Sequence, residues 1–433
     1  MRRTWMPWLA LAVVLLATTK VRADGVILDG VSPRALGRGG TNLGYADNGA
    51  MLLDNPAAMT NVQGNGLFDV GGDGILSNLR YSDPTRSGVS TGFTPLPQLG
   101  YVKKSADGDW AFGLGMFTPA GFSSHYWMSA TAYPPVDPFN GTQKYESFGS
   151  LSKILPGLSY KVTDRLSIGG TFGVGVGYAS LQGPYVLQNP TGVPAGTPVL
   201  IDVHGGGASP VWSAAMQYLL TDDTTIGLTY QSGTTFNLHG SAAVSTNLGG
   251  LPLSTTYQTA TTHITWPQSV ALGMRHKICP HRTVAMDVIW YDWSSAFSQV
   301  GLTLQDSTSP FFPVIHEGLP LNWHDSVSMK LGYEEILPIG GTFRIGYVYH
   351  PNPVPTSFLT PFLPATLTNT FTVGYGMSFG QWLLDFAWAH AFAGGVHVGQ
   401  SGLIGPLGGP GDFSGSFIRP QVDAISVSLI RPF

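Results

Sequence analysis

The chain has 433 residues, of which only 11% are charged, with a formal net charge of -4 and a single cysteine, Cys279. A water-soluble protein carries roughly 25% charged residues, so the composition argues against a soluble sandwich, and a small net charge without a basic stripe argues against a nucleic-acid partner. One cysteine excludes an intrachain disulfide, which leaves burial and closure of the fold as the source of stability.

Arg2 and Arg3 precede an apolar stretch over residues 5–17 and the small-residue pattern Val21-Arg22-Ala23. This reads as a signal peptide over residues 1–23, with the mature chain beginning near Asp24. The stretch is too short to span a bilayer as a helix, and no later run of about eighteen apolar residues follows. The expected destinations are therefore periplasm, outer membrane or medium. Residues 24–66 lack sustained alternation and carry Gly37-Arg38-Gly39-Gly40-Thr41, Ala46-Asp47-Asn48 and Asn55-Pro56-Ala57. The glycine spacing is wrong for a dinucleotide fingerprint. Pro56 fixes its own φ and pushes Asn55 toward extended geometry, so the pair reads as a turn, either purely structural or gating.

From residue 67 onward about fourteen segments alternate large apolar with small or polar residues, the pattern of a transmembrane β-barrel. The clearest is Phe371-Thr372-Val373-Gly374-Tyr375-Gly376-Met377-Ser378-Phe379. Strands are expected near 67–81, 95–104, 109–120, 147–162, 166–181, 208–220, 224–240, 262–276, 282–299, 323–336, 341–350, 368–379, 381–395 and 419–433. Links after even-numbered strands are short, and those after odd-numbered ones are long, as over residues 122–146, 182–208, 241–261 and 301–322. An even strand count puts both termini at the short-turn, periplasmic end. In the last strand Ile425, Val427, Leu429 and the terminal Phe433 share a face, interrupted by Arg431, whose long side chain can reach the interface.

The terminal Phe resembles the assembly signal of bacterial outer-membrane barrels. The Asn55-Pro56-Ala57 motif, followed in order by Trp290-Tyr291-Asp292-Trp293-Ser294, His316-Glu317-Gly318, Phe343-Arg344-Ile345-Gly346-Tyr347 and Pro353-Val354-Pro355, resembles the long-chain fatty acid transporter family of outer-membrane proteins, the FadL and TodX-like group. The resemblance implies an all-β, transmembrane antiparallel barrel of about 14 strands over residues 67–433, with an N-terminal hatch over residues 24–66 plugging the lumen. It also implies a monomer in outer-membrane lipid that carries hydrophobic small molecules, and a kink in the third strand that opens the wall. Pro119, Ala120 and Gly121 are the residues that fit this opening; Pro119 lacks the donor a ladder needs and equally suits a plain strand end.

Gly173, Gly175 and Gly177 alternate with Phe172, Val174, Val176 and Tyr178, so the inner face of the fifth strand is expected either to leave room for a ligand or to allow bending. Tyr185, Val186, Leu187, Leu200, Ile201, Leu251 and Leu253 are expected in loops that capture an apolar molecule. Fatty-acid importers of the family carry basic residues after the fifth strand and before the His-Glu-Gly. Here Gln182, Gly183 and Ile315 stand there, and no Lys or Arg lies between Arg165 and Arg275. A carboxylate would meet a large desolvation cost in such a cavity, which favours a neutral hydrocarbon or aromatic. Lys330 and Arg344 fall on the inner face lower down, free to serve a carboxylate or to pair with Asp287 or Asp385. No catalytic triad, metal spacing or cofactor motif is present, so the expectation is a transport protein and not an enzyme. A general polar porin and a surface receptor or adhesin are the rival readings.

Overall fold

The computed structural model describes residues 26–433 apart from Thr131, Ala132, Pro134, Phe311, Pro410 and Gly411. The expected signal peptide and the first residues after it lie outside the described residues. The chain forms a closed antiparallel barrel of fourteen strands. The uninterrupted strands are β1 (Gly66–Ser82), β2 (Ser87–Lys104), β3 (Trp110–Ser129), β4 (Thr142–Lys161), β5 (Leu166–Val186) and β6 (Pro198–Thr221), then β11 (Thr342–Tyr349), β12 (Asn369–Phe379), β13 (Trp382–Phe392) and β14 (Phe417–Pro432). Strands β7 to β10 are each broken once, into Thr224–Gln231 and Thr234–Leu248, Leu251–Trp266 and Ser269–Cys279, Arg282–Tyr291 and Gln299–Ser307, and Ile315–Pro320 and Ser326–Ile336. Closure is made by β14 on β1, from Leu67 opposite Pro432 to Ser82 opposite Phe417.

Alternation sorts the side chains as a strand must. Phe93, Phe112, Phe172, Leu272 and Phe371 stand out from the wall, each more than half exposed. In water they would make a large apolar surface; against lipid they are matched. At the short-turn end Tyr101 stacks on Phe433 at 5.9 Å and Trp110 meets Tyr160 at 4.5 Å, an interfacial aromatic girdle. Arg431 lies 5.7 Å from the Trp382 ring and donates to Gln381 Oε1 at 3.0 Å. Its charge thus leaves the apolar face at the bilayer edge.

Several strands run further than the sequence pattern indicates. β6 begins at Pro198, ten residues before the expected 208, and residues 241–261 are no loop but the outer ends of β7 and β8, closed by Gly249 and Gly250 at φ 62° and 95°. The outward residues there are Ser254, Thr256 and Gln258. Above the bilayer a strand's outer face meets water, so the greasy half of the alternation disappears. The interruption of β9 holds a short helix, Trp293–Ala296, capped by Asp292, whose Oδ1 accepts from Ser295 N at 3.3 Å. It turns Trp293 inward against Phe297 and Trp323, with ring centroids 5.0 and 4.8 Å away.

Residues 26–65 fold inside the wall as helix α1 (Pro33–Gly37), helix α2 (Met51–Asp54) and a 3-10 turn, Pro56–Asn61. They approach strands around the whole circumference: Gly37 against Gly374 of β12, Gly39 against Gly346 of β11, Leu43 against Gly227 of β7 and Gly273 of β8, Gly49 against Gly100 of β2, Ala57 against Gly169 of β5. A glycine on the strand makes each approach possible. A Cβ on Gly346 would stand 2.1 Å from Gly39 N.

Gly346→Ala is therefore expected to cost about 1–3 kcal/mol through overpacking, whereas Gly394→Ala, with no atom near its Cβ, should be neutral. Thermal unfolding of the two variants in detergent checks this; equal melting temperatures would refute the close approach.

Candidate functional site

The wall is discontinuous at one seam. β2 and β3 pair only from Leu99 opposite Met116 to Lys104 opposite Ala111, although β2 continues outward to Ser87 and β3 to Ser129. Beyond Leu99, β2 carries Pro97 and Pro95, and beyond Met116, β3 carries Pro119. Three residues without an amide hydrogen flank the point where the ladder stops, and proline within a sheet belongs at an unpaired edge. β3 also slips against β4 between Phe117 and Ala120. Sequence reasoning found Pro119, Ala120 and Gly121 and missed Pro95 and Pro97, whose signal is of the same kind.

The freed edge of β3 is met by the N-terminal segment. Leu28 N donates to Pro119 O at 2.9 Å and Gly121 N to Val26 O at 3.0 Å. Further out, His125 N donates to Ser90 Oγ at 2.8 Å. Val26, Ile27 and Leu28, with Ile75, Leu79 and Leu96 of the wall, line a cavity of about 170 Å³ at the seam that no charged side chain enters.

A second cavity, of about 150 Å³, lies in the outer part of the barrel, walled by Leu181, Tyr185, Val186, Ile201, Val203 and Leu319 and by Phe362, Leu403 and Phe413 of the long connections. Among the described residues two carboxylates and no cation line it. Glu317 is already satisfied by Tyr185 Oη at 3.0 Å and Gln188 N at 2.8 Å. Asp412 is held by Arg86 Nη2 at 2.9 Å and Tyr133 Oη at 2.8 Å. A space of this size with a mostly apolar lining is what holds a single benzene-sized ring in other proteins.

A third cavity, of about 90 Å³, lies beneath the N-terminal segment and is polar. Lys153 Nζ donates to Gln231 Oε1 at 3.0 Å and Lys330 Nζ to the Asp29 carbonyl at 2.6 Å. Burial pushes the Asp54 carboxyl up to about 6, partly countered by the Asn42 amide. Burial would raise Asp29 too, but the His350 and Lys330 charges outweigh it and hold that carboxyl at about 2.

The expected site residues are distributed unevenly over these spaces. Tyr185, Val186 and Ile201 line the apolar cavity. Ile315 and Leu187 are buried in the adjoining cluster with Tyr257 and Leu304, and Leu200 packs beside Tyr133 and Phe139. Leu251 stands 68% exposed at the β7–β8 tip with Leu253 next to it, away from the cavity, because that tip is a hairpin end and not a folded-back loop. Gly173, Gly175 and Gly177 do face inward, but the room they leave is filled: a Cβ on Gly175 or Gly177 would meet Phe236, and one on Gly173 the Ile154 carbonyl. Neither Lys330 nor Arg344 lines the apolar cavity. Arg344 is bound by Glu334 Oε2 and Asp385 Oδ1, both at 2.7 Å. Asp385 also accepts from Arg34 of α1 at 2.8 Å, and Arg38 makes a two-pronged pair with Asp47 at 2.9 Å on each oxygen. Asn55 donates to Leu43 O at 2.8 Å and Met216 O at 3.3 Å and accepts from Ala57 N, while Pro56 opens the 3-10 turn. Among the described residues no cluster of His, Cys, Asp and Glu could hold a metal ion.

A family model described as outer membrane protein transport protein (OMPP1/FadL/TodX) matches residues 14–410. Solved structures of the same fold include a Pseudomonas aeruginosa FadL homologue, 18% identical with a TM-score of 0.74 over 94% of this chain and 100% of that one. The Ralstonia pickettii toluene transporter TbuX is 22% identical, with a TM-score of 0.74 over 94% and 99%. The Pseudomonas putida toluene transporter TodX is 20% identical, with a TM-score of 0.73 over 96% and 100%. No curated protein matches the chain.

Asp385→Ala takes one partner from each of two buried guanidinium groups, Arg34 and Arg344, leaving them Asp47 and Glu334. Losing one partner of a buried pair costs up to about 3–5 kcal/mol where the charge is left alone and less where a second acid remains, so this variant should melt below the parent and expose residues 26–65 to protease in detergent. Unchanged protection would mean that the Arg34–Asp385 contact does not hold the segment.

Proposed function

The chain belongs to the outer membrane protein transport protein family (OMPP1/FadL/TodX), and on that premise we propose that it carries neutral hydrophobic molecules, hydrocarbons or aromatics, passively into the outer membrane. The observation that carries the reading is the apolar cavity with two fixed carboxylates and no cation, lying beside a proline-flanked seam in the wall. A fatty-acid anion entering it would exchange its hydration for an apolar lining that offers it no free cation, since Arg86, the cation beside it, is taken up by Asp412. A hydrocarbon loses nothing by entering.

In this reading residues 1–23 are the cleaved signal peptide, 24–66 the hatch and 67–433 the barrel of a monomer. The outer loops hand the molecule to the apolar cavity, and the seam at Pro119, Ala120 and Gly121 releases it sideways into lipid. Asn55, Pro56 and Ala57 anchor the hatch to β5, β6 and the hatch's own Leu43. A hatch that touches strands on every side suits a lateral route and serves a general polar porin poorly.

Toluene uptake by cells producing the full chain tests the route. Replacing Pro95, Pro97 and Pro119 together by Thr restores three donors, so β2 and β3 can pair further and uptake should fall at least about tenfold, a barrier change of about 1.4 kcal/mol. Laurate uptake should be low in parent and variant alike. Toluene entry unaffected by the triple variant would overturn the lateral exit. In a planar bilayer the intact chain should pass little ion current; porin-sized conductance would overturn the hatch.

A further inference from the structure

Resting on that reading, the way the cavities meet identifies what separates entry from exit. The apolar cavity and the polar one share no lining residue, whereas the apolar cavity and the seam cavity share two, Phe122 of β3 and Leu363 of the 350–368 connection. Both belong to the periphery of one buried apolar cluster. We propose that Phe122 and Leu363 form the partition between the ligand cavity and the seam, and that the opening between them sets the largest cross-section the protein passes. The molecule then moves between two predominantly apolar spaces and bypasses the polar cavity of Lys153, Lys330, Asp54 and Asp287, which meets the seam cavity at Ile27, Leu28 and Ala120 but not the apolar one.

The two residues are held differently. Leu363 is fixed through its backbone: its N–H donates to Thr360 O at 3.3 Å, its carbonyl accepts from Ala365 N at 2.9 Å, and the preceding Phe362 carbonyl accepts from the Ser124 and Ser147 hydroxyls. Phe122 is placed by its strand and by a seat on the neighbouring one. It lies opposite Gly149 of β4, and a Cβ on Gly149 would stand 2.4 Å from the ring. Any other residue there would lift the ring off β4 into the passage. A ring resting on a glycine moves by side-chain rotation alone, without rearrangement of the N-terminal segment. Leu363 is thus the fixed edge and Phe122 the movable one.

The test is the ratio of biphenyl to toluene uptake by cells producing the full chain, with barrel assembly verified for each variant by heat-modifiable gel mobility. Phe122→Ala and Leu363→Ala should each raise the ratio about fivefold or more, the scale on which a pocket of fixed size separates two hydrocarbons. Gly149→Ala should lower uptake of both probes. Ratios unchanged in both truncations overturn the partition. So does a ratio that responds to Lys153→Met and not to Phe122→Ala, since the route would then cross the polar cavity. A parent chain that admits neither probe, though assembled, overturns the transport reading and the partition with it.

Discussion

A bilayer offers a backbone amide nothing to bond to, so a barrel that interrupts its own ladder has to close the interruption with its own chain. Here the interruption is written in three prolines, and the closing is done by very little: the backbone hydrogen bonds from Leu28 N to Pro119 O and from Gly121 N to Val26 O, and one from His125 N to the Ser90 hydroxyl. Every other ladder between neighbouring strands of the barrel pairs over at least eight positions, and β1 pairs over sixteen consecutive positions with β14. The seam is the place where the wall has fewest bonds to lose. Everything that positions residues 26–28 therefore bears on whether the wall is whole.

What positions them is charge. Arg34 and Arg38 of the N-terminal segment meet Asp385 and Glu334 of the wall, with Arg344 bridging the two acids from the far side. Buried ion pairs are poor sources of net stability but severe penalties when one member is missing, which suits a device for placing one element in one position. Lys330 adds to it by donating to the Asp29 carbonyl, one residue beyond Leu28. The same arrangement occupies the inner cations next to the segment. At the outer cavity the neighbouring cation, Arg86, is likewise taken up by Asp412, so it is not free to pair with a carboxylate there.

What the sequence makes legible is whatever the contrast between lipid and lumen imprints on it. Phe371 to Phe379 reads as a strand because alternate residues face hydrocarbon. The outer end of β8, with Ser254, Thr256 and Gln258 outside, does not, because its outer face meets water. Pro119 was legible as a ladder breaker, whereas Pro95 and Pro97 acquire meaning only when β2 is seen to run on to Ser87 beside it. The glycines of β5 pointed inward as expected, but pattern along one strand cannot show that Phe236 crosses from β7 to fill the gap. Arg344 could be read as paired with Asp385. That Phe122 borders two cavities depends on a connection more than two hundred residues away and has no local signature.

The electrostatics and the driving force are mutually consistent. For a hydrocarbon, the outer cavity and the membrane interior are nearly equivalent solvents, so transfer between them needs no energy source and follows the concentration gradient. Entry from water is the favourable step, worth about 0.8 kcal/mol for each buried methylene. A cavity much larger than one ring would bind long chains more firmly and release them more slowly. A cation in its wall would retain anions and leave them with a charge to strip before reaching lipid. On the proposed lateral route, small volume, no free cation and an uncharged seam cavity all act in one direction: they keep the bound state close in free energy to the bilayer, which passive release requires.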